Sequence, residues 1–399
     1  MSPQTVPASR GERIGLGALL VAAMAVPSFV AAKSLLPVPT HPAVPAVGSG
    51  SRCGRPFPSA AQNAGLVRGP VAFAQLPGDV ASAADAAIVD GQPPEDHAGQ
   101  ISYVTGHVAD VTNWLALDLA GRDCRADLLN RREVLGDADP ATAATADARA
   151  MSSSQEIAAY VAFRYLGQKV DVSGAGVIVD STCLDGTFSA CKVEAPAAKV
   201  LRKGDIVTAV GGQPVQLTTD LATALAERKP GDTVTIAFTR DGAASSGDVT
   251  LVEGAGGRAI LGILPSAVLP ATARFSLPYS VEIDAGPIGG ASAGLAWTLA
   301  IVDSVTDGDL FGGKHVVATG EIGATGAINN VGGVRQKALA AAAHGAEVML
   351  VPAEQAATAR IATRGTGLAV RGVETLTEAL TALAEWGGGS KVVQPPTAG

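Results

Sequence analysis

Aromatic residues are scarce: Phe, Tyr and Trp make up 4% of the 399 residues, although 47% are hydrophobic and 48 are glycine. The apolar content is therefore rich in Ala and Val, which still builds an ordinary core. The length fits two or three compact units. Positive charge is also in short supply. With 29 Lys and Arg against 37 Asp and Glu, the formal net charge is −8, and no basic face marks a nucleic-acid partner. No Cys-x-x-Cys pair occurs and no two histidines sit at ligand spacing, so no metal site and no cofactor are expected.

The N-terminus carries more information. Arg10 and Arg13 precede an uncharged run at 14–32, which Lys33 closes. A helix over that run spans about 28 Å at about 1.5 Å per residue, close to the hydrocarbon thickness of a bilayer. A cleaved signal peptide is the competing reading, but its apolar region is usually shorter. The run here is broken only by Pro27, which a membrane helix tolerates. Residues 1–33 are thus expected to be a cytoplasmic tip and a transmembrane anchor, oriented by the two arginines. Both readings export the remainder, so the expectation is a single-pass cell-membrane protein with its bulk extracytoplasmic. Residues 34–65 are rich in Pro and Ala and read as a linker.

Four cysteines follow: Cys53, Cys124, Cys183 and Cys191. An even count in an exported chain suggests two disulfides. Cys183 and Cys191 flank the turn-rich Leu184-Asp185-Gly186-Thr187 and would staple it, leaving Cys53 with Cys124. Four cysteines allow three connectivities, and buried free thiols are the alternative.

Between 66 and 150 the pattern is weak, with a strand expected at 101–105, a helix at 111–119 and a solvated loop at 136–149. Ser153-Ser154-Gln155-Glu156 fits a capping box, followed by Ile157, Val161 and Tyr165 at helical spacing. Residues 66–167 are taken as an N-terminal extracytoplasmic region ending in that helix. Then come a strand at 176–179, the turn-strand-turn LRKGDIVTAVGG, a helix at 220–227, and the turn Lys229-Pro230-Gly231-Asp232 before an alternating strand at 233–239. In this order LRKGDIVTAVGGQPV, DLATAL and KPGDTVTIAFTRDG resemble a bacterial PDZ domain over 168–252. The resemblance implies capture of an extended peptide as an added strand, with backbone amides receiving its terminal carboxylate. The carboxylate loop falls on Gly174, Ala175, Gly176 and Val177. A small sandwich without a ligand is the plain structural alternative.

From 258 strands and helices alternate. Two motif matches fail on context. Gly290-Ala291-Ser292-Ala293-Gly294 fits the nucleophile elbow G-x-S-x-G, with Asp303 and His344 in triad order. Gly286-Pro287 and Gly289-Gly290, however, break the strand that an elbow requires. Gly308 with Gly313-Lys314 resembles a phosphate loop, but His315 stands in place of the magnesium-binding Ser or Thr, and a strand follows.

A fuller match covers 258–386. Gly290-Ala291-Ser292-Ala293-Gly294, Thr319-Gly320-Glu321, Gly332-Gly333 and the helix with Lys337 resemble, in order, the proteolytic domain of Lon proteases. The resemblance implies Ser292 as nucleophile, Lys337 as its base and Thr319 as a supporting hydroxyl, with the loop at Gly290 and Ala291 beside the oxyanion. Ala291 departs from the proline usual there, which implies a less preorganised loop. The chemistry is coherent. A serine needs an adjacent base, and lysine serves as one when burial lowers its pKa from about 10.4. Val334, Ala338, Leu339 and Ala341 give the helix of Lys337 an apolar side.

The expectation is a multidomain α/β (α+β) chain: a membrane helix, a PDZ-like β-rich domain, a Lon-type domain at 258–386 and a disordered tail at 387–399. It resembles Lon-like PDZ proteases of bacterial envelopes. That implies an ATP-independent endopeptidase acting on protein or peptide substrates, exported or membrane-bound, and a homo-oligomeric ring. A catalytically dead peptide-binding scaffold and a Ser-His-Asp hydrolase are the competing readings.

Overall fold

The computed structural model describes residues 71–91, 97–136, 138–184, 193–266 and 268–389. The expected anchor at 14–32, the linker at 34–65, Cys53, Cys191 and the tail beyond Gly389 lie outside the described residues. Among the described residues no helix is long and apolar enough to cross a membrane.

Contacts divide the chain into two units, one holding residues up to Leu76 with His107–Val134, the other the remainder. In the smaller unit the start of strand β1 (Val71–Ser82) pairs antiparallel with a short strand at Asp127–Asn130. A helix, Trp114–Arg122, lies between them in sequence. It starts three residues later than the sequence pattern implies because Asn113 Oδ1 accepts from Ala116 N–H at 2.9 Å and caps it. Val71, Ala74, Val111, Leu117 and Leu128 form the small core.

The larger unit begins with the rest of β1, β2 (Ala87–Val89) and β3 (Gln100–Asp110), followed by helix α1 (Pro140–Tyr165). The expected loop at 136–149 and the cap at Ser153 are not what forms. α1 starts fourteen residues earlier because Asp139 accepts from the amides of Ala141 and Thr142, Pro140 occupies the first turn, and the stretch is Ala-rich. Gly167, at φ 72°, turns the chain out of its C-terminus.

An antiparallel module follows: β4 (Val177–Ser181), β5 (Ile206–Val210), helix α2 (Thr218–Leu225), β6 (Thr233–Arg240) and β7 (Ala243–Thr250). Sheet order is β7-β6-β5-β4, with β8 (Leu264–Pro265) on the outer edge of β4. Val234, Ile236 and Phe238 alternate inward from β6 onto Leu221 and Leu225 of α2. Asp205 is buried and takes two hydrogen bonds from Arg240, at 2.8 and 2.6 Å, which fixes the turn into β5. α2 starts two residues before the expected position because the amides of Gln216 and Leu217 donate to Asp220.

The chain then returns to the first layer through β9 (Val281–Ile283), α3 (Gly294–Ser304), β10 (His315–Ala318), β11 (Glu321–Ile322), α4 (Val334–Ala343), β12 (Val348–Pro352), β13 (Ala369–Val373) and a last helix, Leu376–Glu385. β10 pairs in parallel with β12 on one side and with β3 on the other, His315 opposite Gln100. β9 pairs with β2. Every residue of β12 is buried, as a central parallel strand requires. α1 and α3 pack together over this sheet, joining Ile157, Tyr160 and Phe163 to Leu295, Trp297 and Leu299. The α/β class therefore holds, but the boundaries expected at 66–167 and 258–386 do not. β3 lies in the same sheet as β10, β12 and β13, β2 pairs with β9, and β2 and α1 share the core of the C-terminal third; the β4–β7 module is inserted between α1 and β9. Pairing at such separation leaves no local mark in the sequence.

Candidate active site

The loop carrying Ser292 leads from β9 to α3. Gly286 and Gly290 adopt φ of 64° and 85°, left-handed values that favour glycine. Gly290 N–H donates to Asp147 C=O at 3.0 Å, and Ser154 Oγ donates to Ala291 C=O at 3.0 Å. Ser292 follows at the mouth of α3, its carbonyl accepting from Gly320 N–H at 2.9 Å and from Thr319 Oγ1 at 3.1 Å. Among the described residues the amides of Ala291, Ser292 and Ala293 make no hydrogen bond. The Gly290 N–H is already engaged by α1.

Lys337 approaches from the other side. α4 starts after Gly333, at φ 64°, and its first turn is packed inward from Val334 to Ala338, with Leu339 only half-buried. Lys337 is 5% exposed. Its Nζ donates to Ser292 Oγ at 2.5 Å and to Thr319 Oγ1 at 3.4 Å. Burial lowers the lysine pKa to about 8 by disfavouring the charged form. Thr319 is fully buried at the end of β10, its N–H donating to Leu350 C=O. Ser292, Lys337 and Thr319 thus meet.

The elbow triad does not form. His344 Nδ1 sits 2.9 Å from Ala340 C=O at the end of α4, Asp303 accepts from Leu310 N–H, and neither hydrogen-bonds to Ser292. At the phosphate-loop lookalike, Lys314 pairs with Glu347 at 3.5 Å and β10 follows directly.

In the inserted module Ala175 N–H donates to Gln216 Oε1 at 2.9 Å, and Thr272 Oγ1 donates to Gly174 C=O. Gly176 approaches β5 so closely that a Cβ would lie 2.9 Å from Val207 C=O. Val177 opens β4. On the outer edge of β4, Leu264 faces Ser181, Pro265 faces Val179, and Ser266 N–H donates to Ile178 C=O at 2.8 Å. A cavity of about 270 Å³ has Gly176, Val177 and Leu217 of this module on its wall, together with Ala291, which precedes Ser292, and Glu321 and Ile322 of β11. Burial pushes the Glu321 carboxyl up, partly countered by its hydrogen bond with Asn329.

Cys124 and Cys183 are both disulfide-bonded; Cys53 and Cys191 lie outside the described residues. Ser154 and Asp147 were not singled out by sequence reasoning as loop supports. Their seven-residue spacing on an Ala-rich helix is the signal that was available.

Residues 164–251 match the PDZ domain family, and residues 280–383 match the Lon protease (S16) C-terminal proteolytic domain. The two modules define a serine peptidase of the Lon type carrying a PDZ module. The chain is a Lon-like protease with a PDZ domain. Among solved structures, it is similar to the PDZ domain of an SdrC-like protein from Listeria monocytogenes, at 27% identity over 23% of this chain and 86% of that one, with a TM-score of 0.19. The PDZ domain of an SdrC-like protein from Listeria innocua is also 27% identical, over 23% and 92%, with a TM-score of 0.20. A solution structure from Geobacillus thermodenitrificans is 26% identical over 23% and 98%, with a TM-score of 0.19. No curated protein matches.

Proposed function

We propose that the chain is an ATP-independent serine endopeptidase in which Ser292 is the nucleophile and Lys337 its general base. The carrying observation is the 2.5 Å approach of Lys337 Nζ to Ser292 Oγ inside a buried site. Lysine acts as a base only when neutral. With a pKa of about 8, roughly a tenth of the molecules carry the free amine at pH 7.

Ser292 Oγ bonds to the scissile carbonyl carbon while its proton passes to Lys337 Nζ, and the carbonyl electron pair moves onto oxygen. The free amides of Ser292 and Ala293, at the N-terminus of α3, are the donors for that oxyanion. Collapse of the intermediate breaks the C–N bond, and the Lys337 ammonium gives its proton to the leaving amine. Water then attacks the ester, with Lys337 again accepting a proton, and the acid leaves with Ser292 restored. Thr319 supports this cycle. Its one hydroxyl hydrogen is committed to Ser292 C=O, so it can only accept from Lys337, which leaves the amine lone pair for Ser292.

The PDZ module is the substrate selector. PDZ modules take a peptide as an added strand on an open sheet edge, and here that edge of β4 is held by Leu264–Pro265 and Ser266. An incoming polypeptide end therefore displaces this segment. The cavity shared by Val177 and Ala291 supports a route from the selector to the nucleophile loop. The apolar run at 14–32 and the cysteines support an anchored, extracytoplasmic enzyme whose substrates are exported or membrane-associated proteins arriving locally unfolded. The family resemblance supports assembly into a homo-oligomeric ring.

Digestion of casein by the wild type and by Ser292→Ala, Lys337→Ala and His344→Ala variants tests this reading. The first two variants are expected to lose activity and the third to keep it. Activity in Lys337→Ala with loss in His344→Ala would move the chemistry to a Ser-His-Asp site. No cleavage by the wild type on any unfolded substrate would leave a peptide-binding scaffold.

A further inference from the structure

The groups that hold the nucleophile loop from behind lie outside the motifs that mark the protease. α1 supplies both: Asp147 C=O accepts from Gly290 N–H, and Ser154 Oγ donates to Ala291 C=O, each at 3.0 Å. Seven residues are close to two helical turns, so the two groups share one face of α1. Ser154 is 4% exposed. A Cβ at Gly294 would come within 2.7 Å of its Oγ, so the hydroxyl fills the space between α1 and the first turn of α3.

Ala291 C=O and Ser292 N–H belong to one planar trans peptide and point in opposite directions. Fixing the carbonyl toward α1 therefore aims the Ser292 amide away from α1. The carbonyl also accepts from Gly294 N–H at 3.2 Å, so it is gripped from two sides, while the Ser292 amide makes no hydrogen bond. An oriented, unused donor beside the nucleophile is what stabilisation of an oxyanion requires.

We propose that Ser154 is a positioning residue for the oxyanion hole: its hydroxyl fixes the Ala291–Ser292 peptide plane and hence the direction of the Ser292 amide. The hydrogen bond supplies from α1 the rigidity that a proline at position 291 would supply from within the loop. This rests on Ser292 being the nucleophile.

The test uses the full chain and a short fluorogenic peptide, with a peptide boronate as a tetrahedral mimic. Ser154→Ala is expected to lower kcat about tenfold and weaken the boronate by a similar factor, a milder loss than removing a donor outright. KM stays within about twofold and the midpoint of the pH–rate profile does not move. Ser154→Thr and Ser154→Val share one shape and differ in the hydroxyl, so any packing cost is common to both; Thr is expected to be at least several-fold faster than Val. Wild-type kcat and boronate affinity in Ser154→Ala, or equal rates for the Thr and Val variants, would overturn the proposal. A fall in kcat accompanied by a shifted pH midpoint would also overturn it, because that marks general loosening around Lys337. A wild type that cleaves nothing would sink the Ser292 reading itself, whereas an active wild type with an unimpaired Ser154→Ala sinks only this one.

Discussion

Lys337 and Ser292 stand 45 positions apart in the chain, yet Lys337 Nζ lies 2.5 Å from Ser292 Oγ. The lysine arrives from the first turn of α4 and the serine from the loop before α3, and both meet Thr319 at the end of β10. Burying the amine among hydroxyls disfavours its charged form and lowers its pKa.

That burial has a measurable cost to stability. Lys337 loses its proton near pH 8 when folded and near 10.4 when unfolded. Below pH 8 both states hold the proton and the full penalty of a buried ammonium applies. Between the two values the unfolded chain holds more protons, so stability rises with pH. Lys337→Met is expected to stabilise the fold at pH 7 by an amount on the order of 3 kcal/mol, and the gain should shrink toward pH 10. Denaturation of both proteins at pH 7 and pH 10 checks this. A gain that is constant with pH would contradict it.

The loop at Ala291 gives a second prediction. The Ala291 amide makes no hydrogen bond among the described residues, so proline there removes none. Ala291→Pro is expected to keep or raise kcat, since it narrows the loop's freedom and leaves the Ser292 and Ala293 amides as donors. A loss of a hundredfold or more in kcat would instead identify the Ala291 N–H as an oxyanion donor.

A third prediction concerns the edge of β4. If polypeptide ends displace Leu264–Pro265, hydrogen exchange at the Ser266 amide, which donates to Ile178 C=O, should speed up when a peptide is bound at saturation. Peptide binding that leaves Ser266 as protected as before would mean the ligand sits elsewhere.

The sequence made the site legible further than the fold. Ser292, Thr319 and Lys337 stand in one ordered motif frame, and the turns at Lys229–Asp232 and Gly211–Gly212 announce the PDZ strands. The extent of the proteolytic layer was hidden because β3 pairs with β10 across the whole inserted module, and strand pairing of that kind leaves no periodicity to read. α1 was truncated for a different reason. Its first half is mostly exposed and lacks an apolar stripe, so the Asp139-Pro140 cap was the only marker. Ser153 was consequently taken for a cap, and its neighbour Ser154 sits mid-helix against Ala291.

The most direct measurement is the pH dependence of kcat/KM for a short fluorogenic peptide, in the wild type and in Lys337→Arg. A lysine base with a pKa of about 8 predicts a rate that climbs about tenfold per pH unit below that value and levels off above it. The guanidinium of Lys337→Arg cannot deprotonate, so that variant should be inactive across the range. A wild-type midpoint near 6.5, where histidine titrates, or full activity in Lys337→Arg, would contradict the assignment of Lys337 as the base.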